Sequence, residues 1–329
     1  MEPNDIVIST RIRLARNIED MPFKATDKKL FEKIARSIKN DNENYFIATA
    51  NDLDGGIQQA LVEQHLISED FLTNIDNGII VTRGDNRVCI MLGEEDHIRI
   101  QAITNSFDLN STYQTAKVVA NKLETNFKIA RDNKWGYLTH HPSNLGAGMR
   151  ASVMLYLPAL TITGEIKKVF NLLPDKITVR GVYGEGSRSS GFIYQISNQN
   201  CLRMTDDEII DMVYTTINEV AQAEFAVQKK LYHNSTNKIE IANEVMTAWG
   251  VLTNNLLLSS ADAAKHLAWI KLGVCLGIMN FKNNKIIDDL FFIIKPFTLA
   301  TQLKKNLSPT ERDKERASKV KEILITSRV

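Results

Sequence analysis

The sequence predicts an α+β chain followed by an all-helical region, and three observations carry that expectation. Short strand candidates and amphipathic helical stretches are interleaved from Ile8 to Ser197. A polar stretch at 233–238, HNSTNK, then interrupts the pattern. Everything after it reads helical. The length of 329 residues suggests about two domains, which places them at 1–233 and 234–329.

The elements follow in order. Ile8 to Asn17, ISTRIRLARN, alternates as a strand, with Arg11 and Arg13 on one face and Ile12 and Leu14 on the other. Thr26–Asn40 has a helical period, and so does Ile57–Leu66, which ends near His65. Gly78–Arg83 and Arg87–Leu92 are strand candidates joined by a hairpin-like turn at GDN. Val88 to Gln101 reads VCIMLGEEDHIRIQ. Taken as strand, it sets Glu95, His97, Arg99 and Gln101 on one face, with Ile98 and Ile100 opposite. Thr112–Phe127 is an amphipathic helix, and Glu165–Leu173 is another, stopped by Pro174. Ile177–Tyr183 and Phe192–Ser197 are strands. A long helix starts at Thr205, where Thr205 and Glu208 form a capping box and Ile209, Met212, Val213, Ile217 and Val220 share a face.

Bulk properties fit a cytoplasmic globular enzyme. The first residues lack the apolar core of a secretory signal, and no apolar run reaches the ~18 residues that span a bilayer. Cys89, Cys201 and Cys275 have neither metal-ligand nor disulfide spacing, so reduced structural thiols are expected. Of the net charge of +1, the residues from Asn234 onward contribute +5 and the remainder −4. A mildly acidic first part suits a cationic substrate. A basic tail suits acidic or phosphorylated partners.

Arginines recur in segments of one character. Besides Arg11, Arg13 and Arg99, PSNLGAGMRASVM at 142–154 places Arg150 after a Gly-Ala-Gly stretch, and TVRGVYGEGS at 178–187 carries Arg180 and Glu185. Adjacent arginines repel unless an anion lies between them, and the guanidinium fork grips phosphate oxygens in pairs. Neither a Walker A loop nor the catalytic motifs of the common protein kinases are present. An arginine cradle can serve phosphoryl transfer in their place, because that chemistry is mostly positioning and charge neutralisation.

In order along the chain, STRIRLARN, EEDHIRIQ, PSNLGAGMRASVM, RGVYGEGS and IYQISNQ resemble the signature segments of the ATP:guanido phosphotransferases. SPTERDKERAS at 308–318 is similar to the RDxxRA element of the bacterial protein arginine kinases of the McsB type. This resemblance implies an antiparallel sheet flanked by helices, then a helical dimerisation and phosphoarginine-binding domain. It implies a kinase using ATP and Mg²⁺ on arginines of protein substrates, marking them for proteolysis or regulating a stress-response repressor. Its implied partners are a zinc-finger activator, a Clp-type protease chaperone, a transcriptional repressor and a second copy of the chain, with no direct nucleic acid and no membrane.

Residue by residue, Glu95 matches the catalytic carboxylate that orients the target guanidinium and takes its proton. Ser9, Thr10, Arg11, Ile12 and Arg13 match the first nucleotide-binding segment. Arg150, Ala151, Ser152, Val153 and Met154 match the second, and Arg180, Gly181, Val182, Tyr183, Gly184 and Glu185 the third. Arg99 matches a phosphate-binding arginine, and His65 a histidine placed by the adenine nucleotide. Without the resemblance, His65 reads as a helix-surface residue. Arg312, Asp313, Arg316 and Ala317 match the phosphoarginine element, with Arg312 and Arg316 one helical turn apart.

Three departures stand out. His141 occupies the place of the family's positioning cysteine, Gly93 replaces an asparagine, and the arginine motif begins only ten residues in. They keep open a degenerate paralogue that binds phosphoarginine as an adaptor. A metal site at His97, His140, His141 and Glu94 has no further ligand pair at suitable spacing, so none is expected.

Overall fold

The computed structural model describes residues 2–24, 26–39, 44–74, 76–181 and 191–329. Its elements are β1 (Val7–Arg16), α1 (Lys28–Lys39), β2 (Tyr45–Thr49), α2 (Gly55–Glu63), β3 (Ile79–Arg83), β4 (Val88–Leu92), β5 (Ile98–Thr104) and α3 (Leu109–Asn126). A short ribbon of β6 (Arg131–Asp132) and β7 (Gly136–Tyr137) precedes β8 (Met149–Tyr156), α4 (Pro158–Ile162), α5 (Ile166–Phe170), β9 (Ile177–Gly181) and β10 (Ile193–Asn198). Helices α6 (Asp206–His233), α7 (Ser235–Asn254), α8 (Ser260–Cys275), α9 (Ile286–Ile293), α10 (Pro296–Leu303) and α11 (Pro309–Ser327) complete the chain.

Eight strands form one sheet in the order β2-β3-β4-β5-β1-β8-β10-β9, every neighbouring pair antiparallel. Alternation then divides the chemistry. Ile12, Leu14, Ile98, Ile100, Ala151 and Val153 face the core formed with α1, α3 and α6. The opposite face carries Arg11 and Arg13 beside Ser152 and Arg150 in register.

Two apolar clusters cover the ends of that second face. Leu66, Ile67 and Phe71 pack over Ile80, Cys89 and Met91. The C-terminal helices pack over Ile8, Met154, Tyr156 and Ile193 through Val245, Leu267, Leu290 and Val320. The arginines occupy the strip between the two covers.

The helices start where their capping residues stand. Thr205 and Glu208 form the expected box on α6, Asp108 accepts from the Ser111 amide to start α3, and Ser308 with Glu311 boxes α11. The polar stretch at 233–238 is a break of one residue: α6 ends at His233 and Asn234 caps α7. Residues 93–97, expected to continue a strand, form a loop between β4 and β5. Gly93 starts it at φ +85, and a Cβ there would lie 2.6 Å from the Phe31 ring. Helix α2 stops at Glu63, short of the expected Leu66, because His65 adopts the left-handed conformation at φ +59. Among the described residues no helix is long and apolar enough to cross a membrane.

Candidate active site

The strip between the covers opens into two cavities. One, of about 470 Å³, is lined by Arg13, Arg99, Arg150 and Arg180 together with Glu95 and His141. The other, of about 510 Å³, is lined by Ser9, Arg11, His65, Ser152, Met154 and Gln195 on the sheet side. The sheet register explains both. Arg13 stands opposite Arg150 on β8, and Arg180 opposite Gln195 on β10.

Most guanidiniums on this floor have no carboxylate in contact among the described residues. Arg11, Arg13, Arg150 and Arg180 have no carboxylate partner among the described residues. Arg150 donates to Ser197 Oγ at 2.9 Å, and the Nε of Arg13 is buried with no partner among the described residues. Burial, followed by repulsion from Arg99 and Arg150, pulls Arg11 down to about 9. Burial and the neighbouring arginines also hold Arg13 well below its usual range. A guanidinium keeps its proton, so the strain resides in the unneutralised charge. An anion with several oxygens relieves it.

Arg99 is the exception. It pairs with Glu94, whose Oε1 also accepts from Ser68 Oγ. Glu94 Oε2 is buried and has no partner among the described residues.

Glu95 is held from below by its neighbours in the loop. Asp96 Oδ1 accepts from Asn17 Nδ2 at 2.6 Å and from the His140 amide at 2.7 Å. His97 is fully buried rather than beside Arg99. Its Nδ1 accepts from the Ile18 amide at 2.9 Å, its Nε2 lies 2.8 Å from the Pro22 carbonyl oxygen, and its own amide donates to Asn17 Oδ1 at 2.8 Å. These bonds fix a single neutral tautomer, Nε2–H, and leave no ring nitrogen for a metal. Asp96 also ties the loop to the segment bearing His141, which brings that ring to the rim opposite Glu95. Burial, then Glu94 and Asp96, push the Glu95 carboxyl up from 4.5, while Arg99 and His141 pull it down. His141 is exposed, with Nδ1 2.7 Å from Ser143 Oγ.

Not every residue of the expected segments reaches the cavities. Thr10, Ile12, Ala151 and Val153 point to the other face of the sheet: Ile12, Ala151 and Val153 are core, and Thr10 donates to the Ser106 carbonyl at 2.6 Å. Alternation forces this, since a strand cannot offer consecutive side chains to one cleft. Gly181 ends β9, and Val182, Tyr183, Gly184 and Glu185 lie outside the described residues. Asn17, Ser68 and Ser197 also support the site. Two of these had a sequence signal: Asn17, the last residue of the arginine strand segment, and Ser197, within IYQISNQ.

The C-terminal element differs from its expected form. Arg316 is 2% exposed and donates to the carbonyls of Ile294 at 2.5 Å and Leu258 at 2.6 Å and to Asp313 at 2.5 Å. Ala317 lies in the core. The pair Arg312 and Arg316 is therefore no open clamp. Arg312 and Asp313 are half-exposed, with Arg312 5.4 Å above the Phe297 ring.

The chain matches the model of the ATP:guanido phosphotransferase C-terminal catalytic domain over residues 26–227 and that of the protein-arginine kinase McsB C-terminal domain over 238–328. It is 34% identical to a protein-arginine kinase of Clostridium tetani, covering 99% of this chain and 97% of that one. It is 37% identical to one of Caldanaerobacter subterraneus subsp. tengcongensis, covering 96% of each. Among solved structures, a duplicated taurocyamine kinase from Schistosoma mansoni superposes with a TM-score of 0.60 at 25% identity. The match covers 67% of this chain and 33% of that one, so this chain spans about one third of the duplicated enzyme. A lombricine kinase shares the fold at a TM-score of 0.61 and 19% identity, over 70% of this chain and 69% of that one.

Proposed function

The chain belongs to the ATP:guanido phosphotransferases, among the protein-arginine kinases, and from that premise we propose that it transfers the γ-phosphoryl group of ATP to arginine side chains of proteins. The observation that carries this reading is the meeting, in one cleft, of unneutralised guanidiniums with a half-buried carboxylate. A triphosphate supplies the missing negative charge. Glu95 supplies a negative charge that attracts a substrate guanidinium into a cationic site.

In the transfer, a guanidinium nitrogen forms a bond to the γ-phosphorus as the bond from that phosphorus to the β,γ-bridging oxygen breaks. The nitrogen's proton passes to Glu95, and ADP leaves with the bridging oxygen. Arg13, Arg99, Arg150 and Arg180 hold the transferring group and spread its charge. Ser9, Arg11 and His65 lie in the adjoining cavity, where the rest of the nucleotide extends. Mg²⁺ neutralises phosphate charge when bound, held chiefly by phosphates and water. Glu94 Oε2, buried and with no partner among the described residues, fits a role in receiving such a water.

The half-exposed Arg312 and Asp313 are the part of the C-terminal element suited to a phosphoarginine. Calorimetric titration with a phosphoarginine peptide, nucleotide present, tests that site. The family setting adds a cytoplasmic homodimer acting in stress response.

The main reading is tested by incubating the chain with Mg-ATP and an arginine-rich protein. Phosphosites are then mapped by mass spectrometry without acid, because the P–N bond is acid-labile. Phosphoarginine on the protein is expected. Label confined to hydroxyl residues, or to free arginine, overturns the reading. No transfer at all, with phosphoarginine binding retained, leaves the adaptor.

A further inference from the structure

The larger cavity has a second wall that no arginine motif supplies. Opposite the sheet stand Asp289, Phe292 and Ile293 of α9 and Thr298 and Gln302 of α10. One side chain holds this wall in place. Helix α10 has no side-chain cap of its own. The carboxylate of Glu63, the last residue of α2, takes that role across 235 positions of chain. It accepts from the Phe297 amide at 3.0 Å, the Thr298 amide at 2.7 Å and Thr298 Oγ1 at 2.9 Å. Lys295 Nζ donates to the Glu63 carbonyl at 2.5 Å. A carboxylate on the positive end of a helix, bonded to its free amides, is a strong tether.

Two residues on from Glu63 is His65, whose carbonyl accepts from Gln101 Nε2 at 2.5 Å. Its ring Nε2 is buried, lines the cavity and has no partner among the described residues. Burial, with Lys295 and Arg11 next, pulls its pKa well below 6.5, so the ring is neutral. The tether therefore sets two things at once: the position of an unpaired imidazole, and its separation from the helical wall it faces.

We infer that the C-terminal helices complete the nucleotide cavity, and that Glu63 is a positioning residue for nucleotide affinity through its grip on α10. The inference rests on the reading that the nucleotide lies in this cavity. It adds that one side of the cavity wall, Asp289, Phe292, Ile293, Thr298 and Gln302, comes from outside the phosphotransferase fold.

The test is the Kd for Mg-ADP by calorimetry, with KM for Mg-ATP and kcat, in the full chain and three variants. Glu63→Gln keeps the shape but removes the charge. Thr298→Val removes one hydrogen bond of the tether and is the milder variant should Glu63→Gln fold poorly. Arg11→Lys disturbs the sheet wall alone. Glu63→Gln is expected to raise Kd and KM about tenfold with kcat within about twofold, and Thr298→Val to raise them in the same sense by less. A general loss of folded protein would lower kcat and leave KM unmoved. If Arg11→Lys weakens Mg-ADP binding while both tether variants bind normally, the inference fails and the nucleotide reading stands. If none of the three changes binding, the nucleotide reading itself fails.

Discussion

Two arginine-bearing regions of this molecule use the same side chain in opposite ways. On the sheet, Arg11 and Arg13 are pressed among other guanidiniums, and the Nε of Arg13 is buried with no partner among the described residues. In α11, Arg316 is more deeply buried, yet two carbonyls and a carboxylate receive its N–H groups. The first arrangement costs stability and waits for an anion. The second is part of the framework that joins α11 to Ile294 and to Leu258 ahead of α8. Burial therefore says little about whether an arginine binds a ligand, whereas hydrogen-bond satisfaction says a great deal.

The largest effect expected from this contrast is in the framework. Arg316→Ala strands two buried carbonyls and should lower folding stability by ~3–5 kcal/mol, read as a fall in the midpoint of denaturant unfolding. A midpoint within error of the parent would erase the distinction.

Next is the carboxylate that serves the cradle. Glu95→Gln should lower kcat by ~10²-fold or more while Mg-ADP still binds. The raised pKa of Glu95 adds a sign. The base works only when ionised, so the rate should fall as pH drops through a value above 4.5, and Gln should abolish that limb. A parent profile flat down to pH 4.5 would mean another group takes the proton. Because the folded chain holds this proton more tightly than the unfolded chain does, ionising Glu95 costs stability; the cost accrues as pH rises from about 4.5 to the raised folded value and is constant above it.

Smaller and opposite to Arg316 is the change at Arg13. Arg13→Met removes a half-buried charge with no carboxylate in contact among the described residues and should raise the stability of the nucleotide-free protein by ~1 kcal/mol while weakening Mg-ADP binding. A variant destabilised like Arg316→Ala would place Arg13 in the framework too.

The smallest effect concerns the rim. His141→Cys should raise arginine phosphorylation a few-fold above pH 7, where a thiolate adds charge-assisted contact with the substrate. A flat or lowered rate would give His141 a role of its own.

Much of this contrast was legible in the sequence, and the reasons for the remainder are physical. Alternation in ISTRIRLARN set Arg11 and Arg13 on one face, and β1 bears this out. The same rule also removes Thr10, Ile12, Ala151 and Val153 from the cleft. EEDH was misread as strand because a short charged run has no period that separates strand from loop. The one local clue was Gly93 at its head. His65 turns out of α2 through its left-handed backbone and the contact with Gln101, a residue 36 positions away, which no local pattern reports. Strand β2 escaped because it is an edge strand with Phe46 and Ile47 exposed. The inward turn of Arg316 did have a signal. Arg316, Ala317, Val320 and Leu324 follow a helical stripe and are all buried.

The place of β1 in the sheet has a consequence for how the protein is made. The strand that precedes all others in the chain lies in the middle of the sheet, between β5 and β8. During synthesis it cannot gain its second neighbour until Tyr156 has been added. The centre of the sheet therefore closes late, over contacts distant in sequence, and such topologies fold slowly. Until then Arg11 and Arg13 stay hydrated, so the cost of crowding them is met at the step that joins β8 to β1. Pulse-labelled hydrogen exchange during refolding should show the β1 amides that bond to β8 gaining protection no earlier than the amides of β8; earlier protection of those β1 amides would contradict this order.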